Sequence, residues 1–314
     1  MKKTDNVNID YDAQWKEVIS SLFPDFIKFF LPKAYKTIDF QQSIEFLEQE
    51  LHLLIADKYK VGKVINDKLV KVKLKNGEDK WILIHIEVQS SFESDFNERM
   101  FTYFYRIYDR YNQKITALAI YTGQDVPKNH KQFEYSFFGT EITYKYNSFL
   151  VKDQKEQELI NNKNPFAIVI LASKYLIKAK DNHDKLYQFK LELIRLAKEK
   201  NYQADKIVYL LRFIDFVLKL PSKLSLEFDK EIFQTYLNSE KMTTRKSQRF
   251  ANQIHLALYG ETFDDKMKKE KIIEKTFIVQ KLINMNVLNI NQIAEAVNES
   301  IEFVKRVKEN QEKK

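Results

Sequence analysis

The chain has 314 residues and a formal net charge of +8, and hydrophobic residues make up 44% of it. That content is enough for a buried core and excludes a disordered chain. The chain contains no cysteine and only five glycines and five prolines. Disulfides and thiolate zinc sites are therefore excluded, and a turn-rich β-sandwich or barrel is disfavoured.

The absence of cysteine favours the reducing cytoplasm as the location of the protein. The N-terminus, MKKTDNVNIDYDAQ, lacks the apolar segment of a signal peptide, and the longest apolar run, FAIVILA, is too short to cross a bilayer. We therefore expect no membrane partner. The positive charge is compatible with a polyanionic partner such as nucleic acid, and equally with a lysine-rich surface that binds nothing.

The first half of the chain mixes helical and strand patterns, which predicts an α/β layout. An Asn-Gly pair within KNGEDK predicts a hairpin turn between two of the strands. In chain order, the predicted elements are one or two helices over 15–32, a helix over 43–59 capped by Ser43, a strand over 67–74, a returning strand over 81–89, a helix over 95–113, a strand over 114–122, and one or two strands over 133–150.

After residue 150 the pattern is helical. The predicted helices cover 165–179, 183–200, 204–219, 227–239, 245–259, 267–286, 289–297 and 300–312. We therefore predict an α/β domain over 1–150, a helical domain over 151–263 and a helical tail over 264–314. The end of the tail, IAEAVNESIEFVKRV, resembles the paired short helices of helix-turn-helix domains, although small helical hairpins that bind no DNA have the same pattern.

The apolar residues of the predicted hairpin indicate its register. They occupy even positions on both strands, so even positions must face even positions if one side of the hairpin is buried. A loop centred on Gly77 then sets Asp67 opposite Glu87, with Gln89 one step further along the same face. A slip of two residues would set Asp67 opposite Gln89 and still keep the three residues together.

Two facing carboxylates repel each other unless a cation lies between them. Oxygen ligands suit Mg²⁺, which binds one or two carboxylates, retains waters and takes further ligands from phosphate groups. The Asp67–Glu87 pair therefore suggests a magnesium site, with Gln89 placed to orient a water or a phosphate. The alternative is an exposed strand end that carries two surface acids and an amide.

The helix predicted over 95–113 carries arginines on one face. Arg99, Arg106 and Arg110, together with Tyr103, follow spacings of three and four residues, and an apolar stripe lies beside them. Arginines next to a metal site are suited to phosphate contacts with DNA. The alternative is surface pairing with neighbouring acids on the same helix.

The segments NDKLVKVKL, WILIHIEVQSS and FNERMFTYFYRIYDRYNQKITALAIYT closely resemble the recombination-promoting nuclease / putative transposase family of the PD-(D/E)xK nuclease superfamily. The resemblance covers about residues 10–125 and is loose afterwards. Asp67 and Glu87 match the superfamily's two acidic positions. Gln89 stands where the superfamily has Lys, as is typical of this family, and Asn66 replaces the Pro.

The resemblance implies a PD-(D/E)xK, restriction-endonuclease-like core, a mixed sheet flanked by helices, followed here by the all-helical C-terminal region. It implies a magnesium-dependent DNA endonuclease, linked to recombination or mobile DNA, with Asp67, Glu87 and Gln89 as catalytic residues. It also implies a third metal ligand from a Glu on the first core helix, for which we choose Glu50 over Glu45 and Glu48.

Several alternatives stay open at this point. The chain could be a catalytically silent nucleic-acid-binding or interaction protein that keeps the nuclease fold. The sequence does not exclude cleavage of RNA, strand transfer or assembly into a homo-oligomer.

Overall fold

The computed structural model describes residues 4–47, 68–76, 82–89, 95–126, 130–221, 223–225, 227–228, 231, 263–285 and 288–312. The chain divides into two compact units, Met1–Asp229 and Lys230–Lys314. The first unit combines helices with β-strands, and the described part of the second unit is helical.

The described helices of the first unit are α1 (Thr4–Ser21), α2 (Phe23–Phe30), α3 (Pro32–Thr37), α4 (Phe96–Tyr111), α5 (Glu156–Asn161), α6 (Phe166–Ala179), α7 (His183–Glu199) and α8 (Ala204–Val217). Its strands are β1 (Glu45–Phe46), β2 (Lys68–Val72), β3 (Ile82–Gln89), β4 (Lys114–Tyr121), β5 (Gln132–Phe137), β6 (Thr140–Lys145) and β7 (Asn147–Leu150). In the second unit, the described helices are α9 (Phe263–Met285), α10 (Ile290–Val297) and α11 (Ile301–Glu312).

Five of the described strands form one mixed sheet in the order β1-β2-β3-β4-β7. The pairs β1–β2 and β2–β3 are antiparallel, whereas β3–β4 and β4–β7 are parallel. Strands β5 and β6 form a separate two-stranded hairpin. The β3 strand therefore has a hydrogen-bonded neighbour on each side, and its backbone is held more firmly than that of an edge strand.

Helix α4 connects β3 to β4 because two adjacent parallel strands cannot be joined by a tight turn. It ends at Asn112, whose left-handed φ of 47° and N–H bond to the Tyr108 carbonyl form the C-cap. One face of α4 covers the sheet. Near its start, Phe96 and Met100 pack against alternate residues of β4, and further along Tyr103 and Ile107 pack against Leu69 of β2.

Aromatic side chains cover the opposite face of the sheet. Phe30 of α2 lies 4.8 Å from Phe149 of β7, between ring centroids, and Phe26 lies 5.2 Å from Phe166 of α6. Trp15 of α1 meets Phe213 of α8 edge-to-face at 5.3 Å. The α1, α2, α6 and α8 helices thus extend the core beyond the sheet within the same compact unit.

The described part of the second unit is built on one apolar cluster. Its buried members are Val279, Ile293, Ala294, Val304 and Val307, contributed by all three helices. A capping box between Asn289 and Gln292 opens α10, and Asn298, at a φ of 49°, closes it. The three helices confirm those predicted over 267–286, 289–297 and 300–312, and the predicted resemblance to a helix-turn-helix domain stays a prediction.

Most elements predicted from the sequence are confirmed where the structure describes them, and the fold is mixed α/β with a helical C-terminus. The predicted helix over 43–59 is wrong at its start, because Glu45 and Phe46 form a strand. Phe46 is fixed there by Phe23, with ring centroids 5.6 Å apart, and by the Lys68 ammonium 4.8 Å above its ring. The rest of that predicted helix lies outside the described residues.

Two further expectations need correction. Residues 133–150 form three strands rather than one or two, because the Phe138-Gly139 turn and the buried Tyr146 divide the segment. The β2 strand does not bury one face only. Leu69 is as fully buried as Val70, since α4 covers the face that alternates with the predicted core face.

No helix among the described residues is both long and apolar enough to cross a membrane.

Candidate functional site

The predicted hairpin register is confirmed over the described residues. Lys68 pairs with Ile86, Val70 with Ile84 and Val72 with Ile82, so even positions face even positions as the apolar pattern required. Asp67 lies outside the described residues. Its position opposite Glu87, one step beyond the Lys68–Ile86 pair, stays a prediction.

Glu87 and Gln89 lie at the carboxyl end of β3, where the described partner strand is β4. Glu87 pairs with Ala119 of β4, and Gln89 pairs with Tyr121. Ala119 and Tyr121 belong to the apolar cluster beneath α4. The two predicted catalytic positions therefore lie along a central strand that has hydrogen-bonded neighbours, the kind of rigid support that a catalytic residue needs.

Glu45 is one of the three acids considered as a third metal ligand, but its carboxylate forms an ion pair with a lysine instead. It pairs across the sheet with Lys71, and its carboxylate lies 2.8 Å from the Lys71 ammonium. It belongs to a strand rather than to a helix. Glu48 and Glu50 lie outside the described residues, so the predicted metal contact of Glu50 stays a prediction.

The three arginines of α4 differ in their surroundings. Arg99 is only 7% exposed, and its guanidinium lies 4.0 Å from the Asp95 carboxylate and 5.3 Å from the centre of the Phe96 ring. Arg106 is half-buried and Arg110 is exposed. Arg110, in the last turn of the helix, is therefore the most accessible of the three to a phosphate group, and the predicted DNA contacts of all three stay predictions.

A tyrosine network that the sequence analysis missed lies at the carboxyl end of β4. The Tyr121 hydroxyl donates to the His130 carbonyl at 3.1 Å and lies 3.4 Å from the Tyr146 hydroxyl. The Tyr146 hydroxyl donates to the Asn97 side chain at 2.7 Å. The network joins β4, α4 and the start of the β5–β6 hairpin. Its member Tyr121 is the residue that pairs with Gln89. No short motif marks it, because its members are far apart in the sequence.

Within the described part of the chain, no group of three or more histidine or acidic side chains is placed to hold a metal ion. Two of the predicted ligands, Asp67 and Glu50, lie outside that part, so the predicted magnesium site is not tested by this finding. Comparisons of the chain with protein-family models, with curated proteins and with solved structures find no match. The family resemblance accordingly remains an expectation from the motif residues.

The predicted register can be tested by crosslinking, because the chain has no cysteine of its own. If Asp67 lies opposite Glu87, the double variant Asp67→Cys/Glu87→Cys should form a disulfide on mild oxidation, since cross-strand neighbours fall within the Cα separation that a disulfide spans. The matched control is Asp67→Cys/Val88→Cys, which places the second cysteine on the other face. Equal crosslinking of the two variants, measured by the mass loss of two hydrogens, would disprove the register at Asp67.

Proposed function

We propose that this chain is a magnesium-dependent endonuclease that cleaves phosphodiester bonds in DNA. One observation carries the proposal: Lys68 pairs with Ile86, and the same antiparallel register continued by one pair would set Asp67 opposite Glu87. The mixed sheet, with an antiparallel hairpin followed by a crossover helix and a parallel strand, is compatible with a PD-(D/E)xK core. The net charge of +8 is compatible with a polyanionic substrate.

The proposed donor set suits magnesium. Asp67 and Glu87 supply two carboxylates, and Glu50 would add a third oxygen donor, so all the proposed ligands are the hard oxygen atoms that Mg²⁺ prefers. Bound there, the ion would lower the pKa of a coordinated water and offset charge on the phosphodiester. Two adjacent carboxylates also repel each other without a cation, which favours binding of the ion.

In the proposed site, Gln89 orients rather than transfers protons. Its amide carries two N–H donors and one acceptor oxygen and does not titrate, so it can donate to a phosphate oxygen or accept from the attacking water but cannot serve as a base. It follows Glu87 by two positions on β3, which puts both residues on the same side of the strand. The position of the Gln89 amide relative to Glu87 thus depends on the rigidity of β3.

The arginines of α4 would supply the contacts that fix the DNA backbone. Phosphate contacts carry no sequence information but set the orientation of the duplex. Arg110 is exposed and Arg106 is half-buried, and the two lie one helical turn apart on the same helix.

The proposal is tested by incubating the purified chain with supercoiled plasmid. We expect nicked and linear forms to accumulate in millimolar magnesium and no product in excess chelator, because the carboxylates alone offer no charge stabilisation to the phosphodiester. Recovery of activity when magnesium is added back to the chelated sample excludes damage by the chelator. A chain that binds plasmid but leaves it intact at every magnesium concentration would instead be the catalytically silent binding protein.

A further inference from the structure

The β5–β6 hairpin carries an apolar stripe that the rest of the unit covers only at one end. Near the start of the hairpin, Phe133 stacks on Phe101 of α4 at 4.9 Å, and Tyr144 lies 4.7 Å from Phe104. Burial raises the pKa of the Tyr144 phenol above its ordinary value, and Tyr146 makes a smaller contribution. The Tyr144 hydroxyl at this covered end of the hairpin therefore stays protonated and uncharged.

Towards the tip, the same face of the hairpin is uncovered. Tyr135 pairs with Ile142 and both are exposed, and Phe137 and Phe138 at the turn are 58% and 93% exposed. The rings of Phe137 and Phe138 lie against each other, with centroids 4.3 Å apart. Folding alone does not account for two large apolar side chains in water at the end of a hairpin, because they contribute little burial there.

The backbone of the turn makes this choice of residue more unusual. Phe138 and Gly139 form the two-residue loop at φ values of 45° and 85°. Such turns strongly prefer Asn-Gly or Asp-Gly, and a bulky residue in the left-handed region is strained. Phe138 thus adopts a strained backbone conformation without compensating burial of its side chain, which points to a contact with another molecule.

The hairpin also starts next to the carboxyl end of β3, which carries Glu87 and Gln89 and is the proposed catalytic edge. The Tyr121 hydroxyl binds the His130 carbonyl just before β5, and the Tyr146 amide just after β6 donates to the Lys131 carbonyl at 3.1 Å. Tyr121 is the residue paired with Gln89. The six residues of β5 extend about 17 Å at the usual strand rise, so the tip projects well beyond this anchor.

We propose that the Phe137–Phe138 tip stacks on bases of the DNA bound at the proposed catalytic edge. The inference rests on the proposed function, which makes DNA the ligand. A two-stranded ribbon fits the major groove, and apolar side chains inserted between base steps unstack them. Aromatic faces also stack on unpaired bases without sequence preference. The two-stranded ribbon, the paired aromatic rings and the position of the hairpin are therefore all compatible with DNA as the ligand.

The exposed area at the tip argues against a second copy of the chain as the partner. Tyr135, Phe137 and Phe138 together expose roughly 400 Å² of side chain, taking about 200 Å² for each aromatic residue when fully exposed. A stable protein interface buries about 800 Å² on each partner. The tip alone is too small to hold two chains together, whereas stacking on one or two bases needs no more than this area.

The inference is tested with a short duplex that contains 2-aminopurine at successive positions, bound to the full-length chain in chelator. We expect fluorescence to rise several-fold at one or two adjacent positions as the probe base is unstacked, and binding to weaken roughly 5- to 100-fold in Phe138→Ala. Tyr105→Ala is the matched control, because Tyr105 is an aromatic residue of the same unit with 55% exposure. It should retain the signal.

A second variant separates a role in binding from a role in folding. Phe138→Asn creates the favoured Asn-Gly turn, so its melting temperature should equal that of the wild type or exceed it by about 2–4 °C, while the fluorescence rise is lost. A rise that persists at wild-type size in Phe138→Asn would overturn the inference. Binding of the tip to lipid vesicles, or dimerisation that depends on Phe138, without a 2-aminopurine response would overturn it as well.

The two proposals fail separately. A wild-type chain that nicks plasmid in magnesium but gives no fluorescence response overturns the role of the tip and leaves the nuclease assignment intact. A chain that gives the response but never nicks supports the tip and overturns the nuclease.

Discussion

Replacing Asp67 or Glu87 with alanine is expected to lower the magnesium-dependent nicking rate by about 10³-fold or more. Each carboxylate is a proposed ligand of the ion, and the ion is the proposed source of several kcal/mol of charge stabilisation at the phosphodiester. The rate is measured as loss of supercoiled plasmid under single-turnover conditions. Because both ligands are needed to hold the ion, the double variant should be no slower than the slower single variant.

The same variants should not unfold the protein. Removing one of two facing carboxylates relieves repulsion when no ion is bound, so the melting temperature in chelator should stay equal or rise. The matched controls are Asp153→Ala and Glu199→Ala, which remove exposed acids of the same unit and should nick at the wild-type rate. Wild-type nicking by the Asp67→Ala/Glu87→Ala double variant would place the activity elsewhere or in a contaminant.

Neutralising Arg106 and Arg110 together is expected to weaken binding to any duplex sequence. Each phosphate contact contributes about −0.9 to the slope of log K against log salt, so Arg106→Gln/Arg110→Gln should flatten the slope by roughly two units. Near 0.1 M salt, this corresponds to a loss of roughly 10- to 100-fold in affinity. Adding Arg99→Gln should change the slope less than Arg106→Gln or Arg110→Gln does, because Arg99 is buried beside Asp95.

The control for this measurement removes the same charge elsewhere. Lys180 and Lys185 are exposed residues of the first unit, and Lys180→Gln/Lys185→Gln should leave the salt dependence close to that of the wild type. Equal slopes for the arginine variant and the wild type would assign Arg106 and Arg110 to surface pairing. The DNA-binding face would then have to be sought on α10 and α11 of the second unit.

The β2–β3 register could be predicted from the sequence because it follows from a local rule. Apolar residues of both strands must share a face, so even positions must face even positions. Alternation leaves a slip of two residues open, and the loop predicted around Gly77 selects the register in which Lys68 pairs with Ile86, as observed. The helix over 95–113 could also be predicted from the sequence, because its apolar and polar residues follow a helical period. The structure shows it as Phe96–Tyr111, closed by Asn112 in a left-handed C-cap.

Features that depend on distant residues could not be predicted in this way. The segment around Glu45 has the composition of a helix, but a free sheet edge, Lys71 and the ring of Phe23 hold it as a strand. Tyr121, Tyr146 and Asn97 meet only after the sheet and α4 have packed. The strain at Phe138 likewise requires the register of β5 and β6 before its left-handed φ can be recognised.

The measurement that tests the central claim most directly is the location of the ion in crystals soaked with Mn²⁺, read from anomalous scattering. The account predicts one peak between the carboxylates of Asp67 and Glu87, with metal–oxygen distances of about 2.1 Å and the Gln89 amide on the same face of the sheet. Asp67 and Glu87 on opposite faces of the sheet, with no peak between them, would contradict it.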